Sequence, residues 1–406
     1  MSRSKSERLL NRDFVLLWQG HLVSQLGNQA FLIATMSWTL ETTGSPELMG
    51  LLLMTSTLPG VTFGPIAGAL ADRHSRRSLI VAADFLRGLG HLGLAALMLA
   101  APSRTSVIVG CLLVLGFVSG LLGAVATPAL AAAIPDLVAE RRLAAANSLH
   151  HLSSQGAVLF GQAAGGLAYA WIGPGGLVLF DGITFLVSAG CARLARVPSP
   201  QAPAGHVRLR ASAYIHDVRV GLAWLWRRPP LRSLTLTFAS VNLLFTPVFV
   251  LLPVYVRDVL GRGAEWYGFL LAAAGGGAMT GAALMPLVLK ARAILTPALL
   301  GIGLCTTALA ACRSPIVALL LLATVGLLSG ILNVRVMTTM QGCTPPEMRG
   351  RVLAVTMALA SSAVPVGLAL GGLAGGLARS ALPSVIGACG VGILIVAARF
   401  RFGREL

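Results

Sequence analysis

Charged residues are scarce in this chain of 406 residues. Only 11% of the residues are Asp, Glu, Lys or Arg, and 56% are hydrophobic. A soluble domain carries roughly 25% charged residues. The composition therefore excludes an ordinary soluble domain and indicates a polytopic membrane protein.

Acidic residues and lysines are rarer still. The chain has 14 acids against 31 bases, a formal net charge of +17, and its only lysines are Lys5 and Lys290. Basic proteins often bind nucleic acid. Here, however, the bases lie between long apolar runs, where they set the orientation of membrane helices. We therefore expect a lipid bilayer, and no nucleic acid, as the partner.

Residue patterns of enzymes and metal sites are missing. The six cysteines lie in or beside apolar runs, without metal-ligand or redox spacing. There is no Gly-x-x-x-x-Gly-Lys nucleotide loop, and no pair of carboxylates in a polar segment. We expect neither an enzyme nor a bound metal or cofactor, and no use of ATP.

Long apolar runs dominate the chain instead. A helix crosses a bilayer in about 20 residues. The apolar windows between Gly, Pro and charged residues predict twelve spans: Phe14–Leu40, Leu48–Ala71, Ser78–Ala100, Ser106–Ile134, Leu143–Trp171, Gly175–Leu194, Leu231–Val256, Trp266–Leu289, Ile294–Ala311, Pro315–Met340, Val352–Ala378 and Leu382–Arg399.

The positions of the bases predict the orientation. With the N-terminus in the cytoplasm, 24 of the 31 bases fall on the cytoplasmic side or at its membrane edge. The bases that fall outside are Arg104, Arg257, Arg262, Arg313 and Arg379. This bias predicts an inner-membrane protein with both termini in the cytoplasm.

The longest connection between spans predicts the domain boundaries. It opens Pro-rich and continues as Ala211–Arg228, where Tyr214, Val218, Leu222 and Leu225 recur at helical spacing. We expect an amphipathic helix lying along the inner membrane face. The predicted organisation is a six-helix half at residues 1–196, a linker at 197–230 and a second six-helix half at 231–406.

The two predicted halves repeat one another. At an offset of 218 residues, Glu47-Leu48-Met49-Gly50 meets Glu265-Trp266-Tyr267-Gly268. An offset of 210 residues superposes Gly116 on Gly326, Ser119 on Ser329, Gly120 on Gly330, Pro135 on Pro345, Arg141 on Arg351, Gly161 on Gly371, and Gly165-Gly166 on Gly375-Gly376. Tandem halves are a transporter architecture, with the substrate held between them. The predicted fold class is an all-α integral membrane protein of twelve helices in two six-helix halves.

A basic loop follows the second span. Its Gly68, Asp72, Arg73, Arg76 and Arg77 resemble the signature between spans 2 and 3 of the major facilitator superfamily. The resemblance implies a conformational latch that braces spans 2 and 11 in one state. The alternative is a loop that only sets topology.

Other stretches are similar to one branch of that superfamily, the enterobactin exporters and macrolide efflux proteins. They include Asn11-Arg12-Asp13-Phe14, Ser24-Gln25-Leu26-Gly27-Asn28, Ile134-Pro135-Asp136-Leu137-Val138 and Pro345-Pro346-Glu347-Met348-Arg349-Gly350-Arg351-Val352. The resemblance implies a secondary active transporter that exports a small amphipathic molecule (a drug, siderophore or secondary metabolite) by alternating access, driven by protons. We expect a monomer. An uptake symporter, or a non-transporting receptor or partner protein on the same fold, are the alternatives.

The chain departs from the family pattern at the usual coupling positions. Asn28 stands where the branch often has an acid, no Arg lies between Ser106 and Ile134, and Gln162 replaces a Pro. Lys290 occupies the place of Asp72 in the second copy of the basic loop.

Ionisable residues inside spans are the candidate coupling or gating groups. Asp84, Arg87 and His91 fall on one face of span 3, where Asp84 and Arg87 can also form a simple neutralised pair. Asp181 in span 6 has no partner nearby in sequence, so we expect it to titrate and to be reached by protons from outside. A purely structural hydrogen bond is the alternative.

Two further sets complete the candidates. The substrate-cavity candidates are Gln25, Asn28, Asn242 and Arg335. The helix-packing candidates, which let helices approach closely and slide, are Gly161, Gly165, Gly166, Gly371, Gly375 and Gly376.

Overall fold

The computed structural model describes residues 10–198, 211–288, 294–377 and 381–399. Within these, only the backbone is described for residues 65–73, 211–217, 286–288, 346, 347, 349 and 350. The elements of the described part are α-helices: α1 Arg12–Thr43, α2 Pro46–Arg73, α3 Arg76–Ala100, α4 Thr105–Leu137, α5 Glu140–Leu194, α6 Ala211–Trp226, α7 Pro229–Asp258, α8 Ala264–Val288, α9 Leu295–Ala311, α10 Pro315–Cys343, α11 Pro346–Leu377 and α12 Leu382–Arg399.

Most helices run a few residues past the apolar windows. Helix α1 begins two residues before the predicted Phe14 and ends at Thr43 rather than Leu40. Its start is set by Asn11, whose Oδ1 accepts from the Phe14 N–H while its Nδ2 donates to the Leu137 carbonyl. Hydropathy marks the apolar core of a helix, whereas capping groups mark its ends.

Helix α5 is two predicted spans joined without a loop. It is 55 residues long and is interrupted at Gly173, whose φ of 68° and ψ of 177° are not helical. Only glycine adopts this conformation readily, and Pro174 restarts the helix. We call residues 140–172 the first arm and residues 174–194 the second arm.

Eight of the described helices are long and apolar enough to cross a membrane: α3, α4, α5, α7, α8, α10, α11 and α12. Helix α9 is apolar but has only 17 residues. The described chain is thus a multi-pass, all-helical membrane protein.

The chain divides into two compact units. The first consists of Met1–Thr43 and Thr55–Arg208, and the second of Gly44–Met54 and Leu209–Leu406. The start of α2 therefore belongs to the second unit, although the sequence placed it in the first half. In that unit a Cβ on Gly50 would lie 2.8 Å from the Gly372 Cα, so α2 and α11 touch backbone to backbone.

In the first unit, α1 lies between the two arms of α5. Added Cβ atoms on Gly161 and Gly165 of the first arm would come within 2.8 Å of Gln29 Cβ and 3.0 Å of Ala30 Cα. On the second arm, Cys191 Cβ would be 2.9 Å from a Cβ on Gly20. Since α1 runs parallel to one arm and antiparallel to the other, α5 folds back at Gly173.

Small residues make the corresponding contact in the second unit. A Cβ on Gly371 of α11 would lie 2.7 Å from the Pro247 Cα of α7. Gly371 lies 210 residues after Gly161, and Pro247 lies 218 residues after Gln29, which are the two offsets of the sequence repeat. The contact is therefore the counterpart of the Gly161–Gln29 contact in the first unit. Gly375 meets Leu251 and Pro46, and Gly376 meets Glu47, so these glycines leave no room for a side chain.

Helix α6 packs its apolar stripe on the second unit, and its position along the membrane face remains a prediction. Leu225 is fully buried, and Val218 and Leu222 pack on the same apolar cluster of the second unit. A Cβ on Gly221 would lie 2.9 Å from the Arg351 carbonyl of α11. The predicted stripe therefore covers protein, and α6 belongs to the second unit. The side chain of Tyr214 lies outside the described residues, as do residues 199–210.

Candidate functional site: a polar ladder between α3 and α5

Two helices of the first unit bring six side chains together in three pairs. On α3 the residues are Asp84, Arg87 and His91, and on the second arm of α5 they are Ser188, Phe185 and Asp181. Both sets follow the i, i+3/i+4, i+7 spacing of one helix face. Because the helices run antiparallel, the sets meet rung by rung, and we call this arrangement the ladder.

The first rung joins Ser188 to Asp84. Ser188 Oγ donates to Asp84 Oδ2 over 2.7 Å, and both residues are buried. The Arg87 Nη1 atom is 3.9 Å from Asp84 Oδ1, which is a loose ion pair. A buried carboxylate is costly unless it is paired and hydrogen-bonded, and these two contacts meet that requirement.

Arg87 turns most of its donors toward α4. Its Nε and Nη2 donate to the Ser119 carbonyl over 3.2 and 2.5 Å. Gly123 makes the space, because a Cβ there would collide with the guanidinium. The simple Asp84–Arg87 pair of the sequence interpretation is therefore only part of the arrangement, since the guanidinium also binds α4.

The middle rung pairs Arg87 with the apolar ring of Phe185. Phe185 is 4% exposed, and its ring centroid lies 5.3 Å from Arg87 Cζ and 5.4 Å from the His91 ring centroid. A cation over an aromatic face is attracted to the ring. Phe185 thus separates the first rung from the third.

The third rung joins His91 to Asp181. His91 Nε2 lies 3.2 Å from Asp181 Oδ2, and the two side chains are 1% and 0% exposed. The approach is close but not linear, so Oδ2 accepts no well-aligned hydrogen bond from the described residues.

The sequence places no partner for Asp181 nearby along the chain, and the structure supplies one from another helix. The accessibility of Asp181 to protons from outside remains a prediction. The partner, His91, is far away in sequence, and Asp181 is fully buried. Thr184 Oγ1 also lies 3.4 Å from Asp181 Oδ1. Access to this carboxyl therefore requires a rearrangement.

A polar cavity of about 200 Å³ lies beside the ladder, inside the first unit. Asp84, Arg87, Phe185 and Ser188 border it, whereas His91 and Asp181 do not. The rest of its wall is Leu17, His21, Ser24, Gln25, Asn28, Ile80, Ala126, Thr127, Leu130 and Ala192. Polar cavities of this size hold several water molecules.

The substrate-cavity candidates are thus divided. Gln25 and Asn28 border this cavity, which is smaller than the roughly 300–1,000 Å³ of pockets for drug-sized ligands. Asn242 and Arg335 lie in the second unit, where Asn242 Nδ2 approaches the Ala360 carbonyl at 3.5 Å. Their roles in substrate binding remain predictions.

His21 is a wall residue whose surroundings the sequence did not indicate. Its ring centroid lies 5.0 Å from that of His150 on the first arm, and its Nε2 is 3.2 Å from Gln25 Nε2. The pair links α1 to α5 next to the cavity.

The predicted latch is described only in part. Gly68, Asp72 and Arg73 lie in α2, but their side chains fall outside the described residues. Arg76 donates to the Ala132 carbonyl over 2.8 Å and forms an ion pair with Asp136, joining α3 to α4. Arg77 donates to the Arg193 carbonyl at the end of α5. These bases hold the first unit together, and bracing of spans 2 and 11 remains a prediction.

Sequence reasoning missed Phe185, Ser188 and Gly27. The i, i+4, i+7 spacing of Asp181, Phe185 and Ser188 can be read from the sequence. A phenylalanine and a serine in a membrane span do not by themselves indicate a functional site. Gly27 abuts Asp181, which only the packing of α1 on α5 shows.

Multi-pass helices, tandem glycine contacts and ionisable side chains buried within a helical unit are typical of membrane transporters. The chain belongs to the Major Facilitator Superfamily, whose sequence profile matches residues 17–368. Transport, and no enzymatic activity, is what this family indicates.

The chain is also similar to curated efflux proteins. The chain is 23% identical to macrolide efflux protein A of Streptococcus pyogenes over 367 residues, covering 89% of this chain and 88% of that protein. It is 28% identical over 365 residues to the multidrug efflux pump Tap of Mycolicibacterium fortuitum, covering 86% of each.

Two solved structures show the same fold. A bacterial homologue of the human lysosomal transporter Spinster has a TM-score of 0.73 at 17% identity, over 98% of this chain and 97% of that one. The nucleoside transporter NupG has a TM-score of 0.75 at 10% identity, over 96% and 99%.

Proposed function

We propose that this protein is a proton-driven exporter of a small amphipathic molecule, working by alternating access as a monomer in the cell inner membrane. Its twelve spans would be the eight helices named above, with the two arms of α5 counted separately, together with α1, α2 and α9. Two six-helix halves would rock about a substrate held between them. The bias of the bases supports cytoplasmic termini.

The observation that carries the proposal is the buried contact of His91 with Asp181. His91 Nδ1 lies 2.8 Å from the Arg87 carbonyl, which can only accept a hydrogen bond. That contact assigns a proton to Nδ1. The other nitrogen, Nε2, then faces Asp181 Oδ2 with a lone pair.

Two lone pairs at 3.2 Å repel one another unless a proton lies between them. The proton can reside on Asp181, leaving two neutral groups, or on His91, giving an ion pair. In either form the rung holds one exchangeable proton away from water, which is what a coupling site needs. Intramembrane ionisable groups are functional candidates by default.

Efflux is favoured by the relatives, whose names refer to macrolide and multidrug efflux. Uptake by symport is the second candidate within transport, because the same rung would serve it. A non-transporting receptor on this fold is not favoured, since burying an ionisable pair costs free energy without benefit to a static protein.

The test uses inverted vesicles with an acidic lumen. Adding a macrolide antibiotic as probe should release lumenal protons from vesicles that contain the wild-type protein. Asp181→Asn should bind the macrolide but release no protons and drive no uphill transport. Asp258→Asn, which removes an exposed carboxyl paired with Arg257, is the matched control and should behave as wild type.

An unchanged proton signal in Asp181→Asn would move the coupling role to Asp84 or His91. Proton uptake in the same direction as the drug would indicate symport. A panel of cationic drugs and siderophores run in the same assay defines the substrate class.

A further inference from the structure

We infer that Phe185 is the gate that keeps the proton of the His91–Asp181 rung from the water of the cavity. The inference rests on the proposed proton coupling and adds a residue to it. The first and third rungs are polar, and between them the second arm of α5 contributes the apolar ring of Phe185.

The position of Phe185 is what makes it a barrier. Its ring borders the cavity and also contacts His91. Beyond it, His91 and Asp181 are almost fully buried. A phenyl ring has no group that can take up and pass on a proton. While the ring stays in place, it therefore blocks proton transfer from the His91–Asp181 rung to the cavity.

The groups on the cavity side are suited to receive a proton. Asp84 and His21 both border the cavity and have an atom that can accept a proton. His21 lies next to His150, and Arg87, also on the wall, is already protonated. When the ring moves aside, the rung can give its proton to a cavity water. The O–H or N–H bond in the rung breaks, an O–H bond forms on water, and a carboxylate beside a neutral imidazole remains.

The carboxylate then left behind has a nearby positive charge. Arg87 lies one turn from His91 on α3, its Nη1 is 3.9 Å from Asp84 Oδ1, and its side chain lies against Phe185. Because the guanidinium also donates to the Ser119 carbonyl, its charge stays beside the cavity when the ring moves.

Phe31 offers a matched control. Its ring lies 4.6 Å from the His91 ring in an edge-on arrangement, so it packs on the same histidine. It does not border the cavity. Replacing Phe31 loosens the rung without opening it to the cavity water.

The experiment measures proton leak without any drug. The full-length protein is reconstituted in liposomes that contain a pH-sensitive dye, an inward proton gradient is imposed, and the membrane potential is clamped with valinomycin and potassium. Phe185→Ala should leak protons several-fold faster than wild type, and Phe31→Ala should not. Phe185→Leu, which keeps an apolar plug, should restore a tight vesicle.

Two results would overturn the inference. The first is a Phe185→Ala variant that folds, as judged by a monodisperse elution profile, and leaks no faster than wild type. If Phe185→Ala fails to fold, Phe185→Gln takes its place, and an equally tight vesicle counts against the gate. The second is a leak in Phe31→Ala equal to that in Phe185→Ala, which indicates loosened packing only.

Different results would refute the proposed proton coupling and the proposed gate. Wild-type vesicles that release no protons on adding any drug of the panel would refute coupling itself. Drug-linked proton release in wild type together with a tight Phe185→Ala vesicle would leave coupling intact and remove only the gate.

Discussion

Gly27 of α1 sits directly against the carboxyl of Asp181 on the second arm of α5. A Cβ at position 27 would lie 2.6 Å from Asp181 Oδ1 and would also collide with Thr184. Atoms this close must shift, and the buried surroundings leave little room. The glycine thus holds the third rung in place from a third helix.

Gly27→Ala should therefore impair both stability and coupling. Overpacking of this kind costs about 1–3 kcal/mol, and displacement of Asp181 should weaken drug-linked proton release. Thermal unfolding in detergent and the vesicle assay measure the two effects. The matched control is Gly93→Ala on α3, where a Cβ would meet nothing within 4 Å. Equal behaviour of the two variants would contradict the tight contact.

The His91–Asp181 contact predicts strong energetic coupling between the two side chains. Replacing one of them by Leu leaves the other buried without a partner, which costs about 3–5 kcal/mol. Replacing both should cost less than the sum, with an interaction free energy of about 0.5–3 kcal/mol. A double-mutant cycle in mixed micelles measures it.

A control cycle pairs Asp181→Leu with Tyr255→Phe. Tyr255 donates to the Cys312 carbonyl in the second unit, and it shares no partner with Asp181. This pair should be additive within about 0.3–0.5 kcal/mol. Additivity in the His91–Asp181 cycle as well would show that the two groups do not interact.

Asp72→Asn should leave the protein inserted in the membrane but slow its turnover. Asp72 lies in the last turn of α2, so a latch must hold its charge through a base or the N-terminus of another helix, an interaction of about 0.3–1 kcal/mol. An equilibrium between two states of similar energy is sensitive to such a change. The measurement is transport rate at equal expression. Glu140→Gln removes an exposed acid from the first turn of α5 and should transport normally. Wild-type rates in Asp72→Asn would reduce the latch to a loop that sets topology.

The predicted topology places Arg228 in the cytoplasm and Gly44 outside. Gly44 lies in the turn between α1 and α2, with a φ of 63°, so an insertion there should leave both helices intact. A phosphatase reporter, which is active only outside, should be active after insertion at Gly44 and inactive when fused after Arg228. The opposite pattern would overturn the argument from the positions of the bases.

The sequence by itself determined the class of protein. Charge scarcity, long apolar runs and the basic loop at Gly68–Arg77 were enough for a multi-pass transporter of the major facilitator type, because insertion into lipid depends on local hydropathy. Local rules also placed a break between Trp171 and Gly175, and the structure locates it at Gly173 and Pro174, residue types that end and restart helices.

Only the tertiary structure decided which polar groups meet. The sequence left Asp181 without a partner and paired Asp84 with Arg87 alone, because contacts along one helix can be inferred from spacing and contacts between helices cannot. His91 and Gly27 lie against Asp181 because α3 and α1 both pack on the second arm of α5. The depth, register and neighbours of a side chain depend on that packing, and no local pattern specifies them.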